Sequence, residues 1–227
     1  MSEQVSELFA LAGVPPTDLR VRLRSLPAGV QALHQRVLLH LAENGHGPSQ
    51  EQIADWATEV DVEARSAVAQ LAGAELLFTD PDGHVIGGVP FAGKVTAHQV
   101  RIGDGPVVFA NCAIDALGIS AMLGADTDLT SVDPHTGDTV TARSRNEQWS
   151  WQPPASVVFL GSAGPGRVTD TCCPVINFFA AADNALTYQR DHHLQGTVLT
   201  FGEAVLAGQA AFGDLLTPPA ETLGHRP

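Results

Sequence analysis

The chain has 227 residues, of which 44% are hydrophobic and 16% are charged. This balance supplies enough apolar material for a folded core and excludes a wholly disordered chain. Acidic residues outnumber basic residues by 25 to 12, which gives a formal net charge of -13. That charge argues against a general attraction to nucleic acid or to an anionic membrane surface. No apolar run approaches the length of a membrane-spanning helix, so none is predicted.

The cysteine content indicates a protein with free thiols. Three cysteines are too few, and odd in number, for a disulfide framework. The first residues carry acids and no basic stretch, unlike the start of a secretory signal. We therefore expect a reduced, cytoplasmic protein.

The first half of the chain begins with two predicted helices. Apolar residues recur at helical spacing over residues 27–45, and Gly45 is a suitable residue to end that helix. Ser49 followed by Gln52 forms a capping-box pattern, which predicts the start of a second, short helix through Trp56.

A third predicted helix precedes a predicted β-hairpin. Asp61 is positioned to cap this helix, which ends at Gly73. Residues 76–79 and 84–86 then flank an Asp-Pro-Asp-Gly turn, a typical hairpin signal.

Three helices followed by a hairpin is the element order of a winged-helix module, here covering residues 1–93. The order suggests DNA binding, but a DNA reader needs basic residues on its recognition helix and wing. The third helix offers only Arg65, and residues 1–100 carry 6 basic against 12 acidic side chains. We therefore expect this module to be a packing or lid domain.

Residues 94–227 are predicted to form a second, catalytic domain that carries all three cysteines. Its runs of β-branched and aromatic residues indicate strands, and helical stretches lie between them. The overall prediction is an α+β fold with a mixed, mainly antiparallel sheet. The predicted strands fall at 95–102, 106–110, 139–145, 156–161 and 198–201, and the predicted helices at 111–123, 183–193 and 202–216.

The first candidate site residues are Cys112 and Asp115. Cys112 follows an apolar strand and begins a helical run, a position where unpaired backbone N–H groups favour an anion and usually lower the pKa of a thiol. Asp115 lies three residues further on, on the same helical face. An acid beside a thiol can take its proton and later deliver it to a group bound at the sulfur.

The second candidate segment contains Cys172 and Cys173, followed by Pro174. Adjacent side chains in an extended segment point to opposite faces, so one of the two sulfurs can face Cys112 while the other enters the core. Two thiolates and a carboxylate would form a site for a soft metal ion.

Structural explanations compete with this interpretation. A single cysteine is commonly a small buried hydrophobic residue. A structural zinc site would need four ligands in paired spacings, whereas the nine histidines are scattered. His135 lies in a predicted turn, and His192 and His193 lie in a polar run.

The cysteine pattern resembles that of the organomercurial (alkylmercury) lyase family. The resemblance is strongest over residues 106–215, and in the N-terminal module it depends on element order alone. Three features carry it: the Cys-x-x-Asp helix start at 112–115, the pair Cys172–Cys173 with Phe178–Phe179 closely following, and Glu203–Ala204 opening a helix after a strand.

The resemblance implies a role for each site residue. Cys112 would be the first mercury-binding thiolate, Asp115 the proton shuttle and Cys172 the second thiolate, while Cys173 would have no direct role. The implied reaction is protonolysis of a carbon–mercury bond, which gives a hydrocarbon and Hg(II) without a cofactor. Mercury, held by Cys112, Cys172 and Asp115, would be substrate and product. The implied partners are the organomercurial, low-molecular-weight thiols and a mercuric reductase.

The sequence departs from the family pattern at three positions. Asn111 stands where a large aromatic residue is often found, Pro174 follows the cysteine pair, and Asp133 lies near the place of a further cysteine that some members carry. These changes leave the implied triad intact and leave the substrate range open.

Three other functions remain open at this point. The chain could be a thiol-based sensor or scavenger of soft metals, related to the lyases but without carbon–mercury cleavage. It could also act on organotin or organolead compounds. The third alternative is a thiol enzyme with a Cys–His pair, for which His98 is the candidate.

Overall fold

The computed structural model describes residues 7–10, 12–14 and 19–216. Within these residues, helices are combined with three sheets whose strand pairs are all antiparallel, which confirms the predicted α+β class. Residues 1–6, part of the acidic start, lie outside the described residues. No described helix is long and apolar enough to cross a membrane.

The first half of the chain has the predicted order of three helices and a hairpin, preceded by a further short helix. Gly45 ends the first predicted helix with φ at 73°, a left-handed conformation that glycine adopts without steric cost. The elements are α1 (Leu19–Arg24), α2 (Ala28–Asn44), α3 (Gln50–Glu59), α4 (Ala64–Gly73), β1 (Leu77–Thr79) and β2 (Val85–Gly88).

Capping explains where two of these helices begin. The capping box of Ser49 and Gln52 is present at α3, as predicted. The prediction that Asp61 caps α4 is wrong, because Asp61 lies in a turn with φ at 54°. Glu63 is the cap, since its carboxylate accepts the N–H groups of Arg65 and Ser66 and so satisfies two unpaired donors.

The second half contains a five-stranded sheet with the order β4-β3-β5-β6-β7 and a three-stranded sheet with the order β10-β8-β9. The predictions missed β5, β7 and β9, which are short or rich in polar residues. The elements are β3 (Gln99–Ile102), β4 (Val107–Phe109), α5 (Ala113–Leu123), β5 (Thr127–Val132), β6 (Thr139–Arg145), β7 (Gln148–Gln152), β8 (Val157–Ser162), α6 (Val168–Thr171), β9 (Asn177–Phe179), α7 (Ala182–Asp191), β10 (Gln195–Thr200) and α8 (Phe201–Phe212).

One continuous apolar core includes buried residues from both halves of the chain. Aromatic rings extend it from the sheets to α8. Trp151 stacks on Phe201 with ring centroids 4.4 Å apart, and Phe178 stacks on the same ring at 5.9 Å. The division of the chain between residues 93 and 94 stays a prediction.

Helices α5 and α8 pack together through glycines. A β-carbon at Gly208 would lie 2.9 Å from the backbone nitrogen of Gly118 and 3.0 Å from the carbonyl oxygen of Ile114. Because those atoms belong to the backbone of α5, no side-chain adjustment could make room. The backbone of α5, which carries two site residues, is therefore held by direct contact with α8.

We expect Gly208→Ala to lower the free energy of unfolding by about 1–3 kcal/mol, because the new methyl group forces the two helices apart. Chemical denaturation measures this change. A β-carbon at Gly202, in the first turn of α8, would meet no described atom within 4 Å beyond its own stretch of helix. Gly202→Ala is therefore the matched control and should be neutral or stabilising by about 0.5 kcal/mol. Equal effects of the two substitutions would contradict this account of the helix contact.

Candidate active site

Cys112 is the N-cap residue of α5. Its backbone is extended, and its sulfur accepts a hydrogen bond from the N–H of Asp115 at 3.5 Å. The side chain is 3% exposed. The placement at a helix start is as predicted, but the expected lowering of the thiol pKa is not observed. Burial raises the pKa of Cys112 well above its usual value, and contact with Cys173 and the charge of Asp115 raise it further.

Asp115 is a buried acid in the first turn of α5, and only 6% of it is exposed. Burial raises the pKa of this carboxyl to about 7, against the opposing effects of the side chains of Asn111 and Cys112. Among the described residues, no group hydrogen-bonds its Oδ2 atom. Asp115 therefore exchanges protons near neutral pH and has a free acceptor atom.

The cysteine pair follows a single helical turn. The N–H groups of Cys172 and Cys173 both donate to the carbonyl oxygen of Val168, at 2.9 Å each. The two side chains have different surroundings. Cys172 is 1% exposed in the apolar core, with its sulfur 3.7 Å from the Thr171 hydroxyl, whereas Cys173 is half-buried.

The structure brings together Cys112, Asp115 and Cys173. Their sulfur and carboxylate atoms all lie within 4.8 Å of one another. This spacing suits joint coordination of one soft ion, given metal–sulfur bonds of about 2.3 Å or longer.

The structure does not place Cys172 in this cluster, and its expected role as the second thiolate stays a prediction. The segment was expected to be extended, with one sulfur facing Cys112 and one facing the core. One sulfur does face each way, but the turn after α6 directs Cys173, the second of the pair, towards Cys112. The turn is closed by the hydrogen bonds from the N–H groups of Cys172 and Cys173 to the carbonyl oxygen of Val168. Sequence patterns do not predict this turn.

One hydrogen bond fixes the distance between the two sulfur-bearing segments. The N–H of Ala113, at the start of α5, donates to the carbonyl oxygen of Ile176 at 3.0 Å. It links the residue after Cys112 to a residue three positions beyond Cys173. The unpaired N–H groups of a helix start are free to make such a bond.

The three members of the cluster line a mainly apolar pocket. Charged groups other than Asp115 line it at three positions, Arg20, Arg22 and Glu75, which sequence reasoning missed because no local pattern links residues so distant from the cysteines. The apolar lining consists of Phe9, Val14, Leu19, Val89, Ile114, Val168, Ile176, Ala210, Ala211 and Phe212. Residues of the N-terminal module therefore form part of the pocket wall.

The other residues considered from sequence lie outside the cluster. His98 is in the core, with Nδ1 2.9 Å from the Ser131 hydroxyl, and burial lowers its pKa to about 4. His135 lies in the turn after β5, and His192 and His193 are exposed at the end of α7. These positions give no support to a Cys–His pair.

Asp133 has a structural role. One carboxylate oxygen accepts hydrogen bonds from the Ala180 N–H at 2.9 Å and from the Asn184 side chain at 2.7 Å. The other accepts from the N–H groups of His135 and Thr136. The buried acid thus joins the end of β5 to the start of α7.

The fold and the cluster together define an α+β protein with a buried dithiol–carboxyl site, the kind of donor set that soft metal ions prefer. A sequence model of the alkylmercury lyase family matches residues 91–213, a range that includes all three members of the cluster. The chain belongs to the alkylmercury lyase family.

Individual relatives agree with this assignment. The alkylmercury lyase of Streptomyces lividans is 28% identical over 184 residues, which are 80% of this chain and 83% of that protein. The crystal structure of the mercury-bound form of MerB2 superposes with a TM-score of 0.72 and 21% sequence identity, covering 88% of this chain and 97% of that chain. The second comparison establishes a shared fold.

We expect Asp115→Asn to stabilise the protein increasingly as the pH rises. Folded Asp115 keeps its proton to about pH 7, whereas the unfolded side chain loses its proton near pH 3.9. Between these values the folded state binds more protons, so the wild-type protein loses stability with rising pH and the asparagine variant avoids this loss. The gain in unfolding free energy should be roughly 3 kcal/mol larger at pH 8 than at pH 5.

Urea denaturation of both proteins across this pH range measures the difference. Parallel stability profiles would show that the Asp115 carboxyl is not held protonated by the fold.

Proposed function

We propose that this protein cleaves the carbon–mercury bond of organomercurials by protonolysis. The observation that carries the proposal is the close approach of two thiols and one carboxyl, all within 4.8 Å, at a mainly apolar pocket. Family membership supports the same chemistry, since the relative from Streptomyces lividans is described as an alkylmercury lyase. The proposed catalytic residues are Cys112, Cys173 and Asp115.

The first proposed step is thiol exchange. An organomercurial cation, R–Hg(II), arrives bound to a small thiol, and Cys173 is the first protein ligand because it is half-buried while Cys112 is almost fully buried. A mercury–sulfur bond to Cys173 forms as the bond to the carrier sulfur breaks. The proton of Cys173 leaves on the carrier thiol.

The second proposed step brings Cys112 onto the same mercury. A thiol that coordinates a soft cation loses its proton, and Asp115 lies within reach of the sulfur to accept it. The pKa of Asp115, raised to about 7, makes the carboxylate a better proton acceptor than an ordinary aspartate.

The third proposed step is proton transfer to carbon. Two thiolates increase the electron density on mercury and weaken its bond to carbon, which leaves with carbanion character. Asp115 delivers the proton taken from Cys112, so the products are RH and Hg(II) held by the two sulfurs. Because the groups are already positioned, no diffusional encounter limits the transfer.

The balance of this reaction requires no redox step. Two protein thiols supply two protons, one to the carrier thiol and one to the hydrocarbon. Mercury is Hg(II) before and after cleavage. Free thiols, or the cysteines of a mercuric reductase, would then remove the ion, as the family resemblance implies.

We expect Cys112→Ser, Cys173→Ser and Asp115→Ala each to lower the rate of benzene release from phenylmercury by at least about 100-fold, because each removes a thiolate or the proton donor. Gas chromatography of the headspace measures the product. Mercury binding measured on the same samples distinguishes a lyase from a protein that only binds soft metals, which would take up mercury without forming benzene.

Cys172→Ser is the matched control, since it changes the adjacent cysteine, whose sulfur faces the core. We expect its rate to stay within about threefold of wild type, because a sulfur-to-oxygen change outside the cluster removes no ligand. Full activity in Cys112→Ser would overturn the mechanism. Loss of activity in Cys172→Ser with retention in Cys173→Ser would return the second thiolate to Cys172.

A further inference from the structure

Arginine side chains lie at the pocket, although the chain as a whole is strongly acidic. Arg20 and Arg22, both on α1, line the same cavity as Cys112 and Cys173. Their side chains are 20% and 32% exposed. The mechanism proposed above uses neither residue, although both line the pocket.

Glu75 is the carboxylate nearest to Arg22, and two guanidinium groups share it. Arg22 donates to its Oε2 atom at 2.9 Å, and Arg167 donates to its Oε1 atom at 2.7 Å. Arg167 directly precedes α6, which leads to Cys173. Two positive charges on one carboxylate leave this group of three residues with a net charge of +1.

Arg22 retains unused hydrogen-bonding capacity within the described part of the chain. Its contacts with Glu75 and with the carbonyl oxygen of Ala74 both come from Nη1. A guanidinium has five N–H donors in a planar fork that matches a carboxylate. The Nε and Nη2 groups of Arg22 are therefore suited to a second carboxylate.

Arg20, the other arginine of α1 that lines the pocket, has a different partner. Arg20 pairs with Asp214, beyond the end of α8, at 2.8 Å. Arg22 and Glu75 also line the pocket, and Arg167 is joined to them through Glu75; we call these three residues the Arg22 triad.

We propose that the Arg22 triad binds a carboxylate on the small thiol that carries the organomercurial to the pocket. The inference rests on the proposed function and narrows its substrate class to mercury adducts of carboxylate-bearing thiols. Arg22 contacts the carboxylate and acts as a specificity residue, while the carrier sulfur reaches Cys173 with its mercury.

The chemical step affected is thiol exchange. The mercury–sulfur bond to the carrier breaks, the bond from mercury to Cys173 forms, and the cysteine proton moves to the carrier sulfur. The carbon–mercury bond stays intact in this step. Exchange can therefore be measured separately from hydrocarbon release.

Three carriers of similar size test the proposal. Phenylmercury is supplied bound to 3-mercaptopropionate, 2-mercaptoethanol or cysteamine, whose free ends are anionic, neutral and cationic. Rapid quenching followed by mass spectrometry of the intact wild-type protein counts protein-bound mercury, whether or not the phenyl group remains. We expect exchange about fivefold faster from the anionic than from the neutral carrier, as for one partly exposed ion pair, with the preference decreasing at high salt.

Substitutions at Arg22 separate recognition from folding. Arg22→Gln should abolish the preference for the anionic carrier, Arg22→Lys should retain part of it, and Arg22→Glu should reverse it in favour of cysteamine. The exchange rate from 2-mercaptoethanol in each variant is the reference against which the rates from the two charged carriers are compared. A purely structural arginine would affect all three carriers equally.

Arg36→Gln is the charge-matched control. Arg36 pairs with Glu59 on the helices of the N-terminal module and does not line the pocket, so its replacement should leave the carrier preference unchanged. Equal exchange rates for all three carriers in the wild-type protein would overturn the proposal. If exchange depends on the carrier but no benzene appears, the carrier site stands and the proposed lyase activity fails.

Discussion

The site depends on the packing of the start of α5 against the segment that follows the cysteine pair. The hydrogen bond from the Ala113 N–H to the Ile176 carbonyl oxygen holds the two segments together where a helix has unpaired donors. Behind it, the glycine contact between α5 and α8 fixes the helix axis. Two sulfurs about sixty residues apart in sequence meet because these backbone contacts leave little freedom for either segment.

Burial of Asp115 links stability to the proposed chemistry. An acid in this position raises the free energy of the folded protein whenever it is ionised, because no described residue hydrogen-bonds its free oxygen. The same desolvation brings its pKa to about 7, where a carboxyl can both accept and return a proton. A neutral side chain, or a carboxyl with all its hydrogen bonds made, would give a more stable fold but could not exchange a proton near neutral pH. Functional groups commonly lower the stability of a protein in this way.

Residues of the N-terminal module form part of the pocket wall, and the module's role as a packing or lid domain stays a prediction. Two charged residues of the module, Arg22 on α1 and Glu75 after α4, form an ion pair, and Glu75 also pairs with Arg167, which precedes the cysteine segment. Three parts of the chain therefore meet at one carboxylate beside the pocket. Local periodicity identified the helices of the module but gave no sign of these contacts, which join residues up to 92 positions apart.

The amino-acid sequence by itself determined the elements with strong local signals, including the capping box at Ser49, the stop at Gly45 and the start of α5 with Cys112 and Asp115 on one face. These features depend on side chains within a few residues of one another. Tertiary structure decided which cysteine faces the pocket. Cys172 and Cys173 are chemically identical neighbours, and only the turn closed onto Val168, packed against the start of α5, directs one sulfur into the cavity and the other into the core.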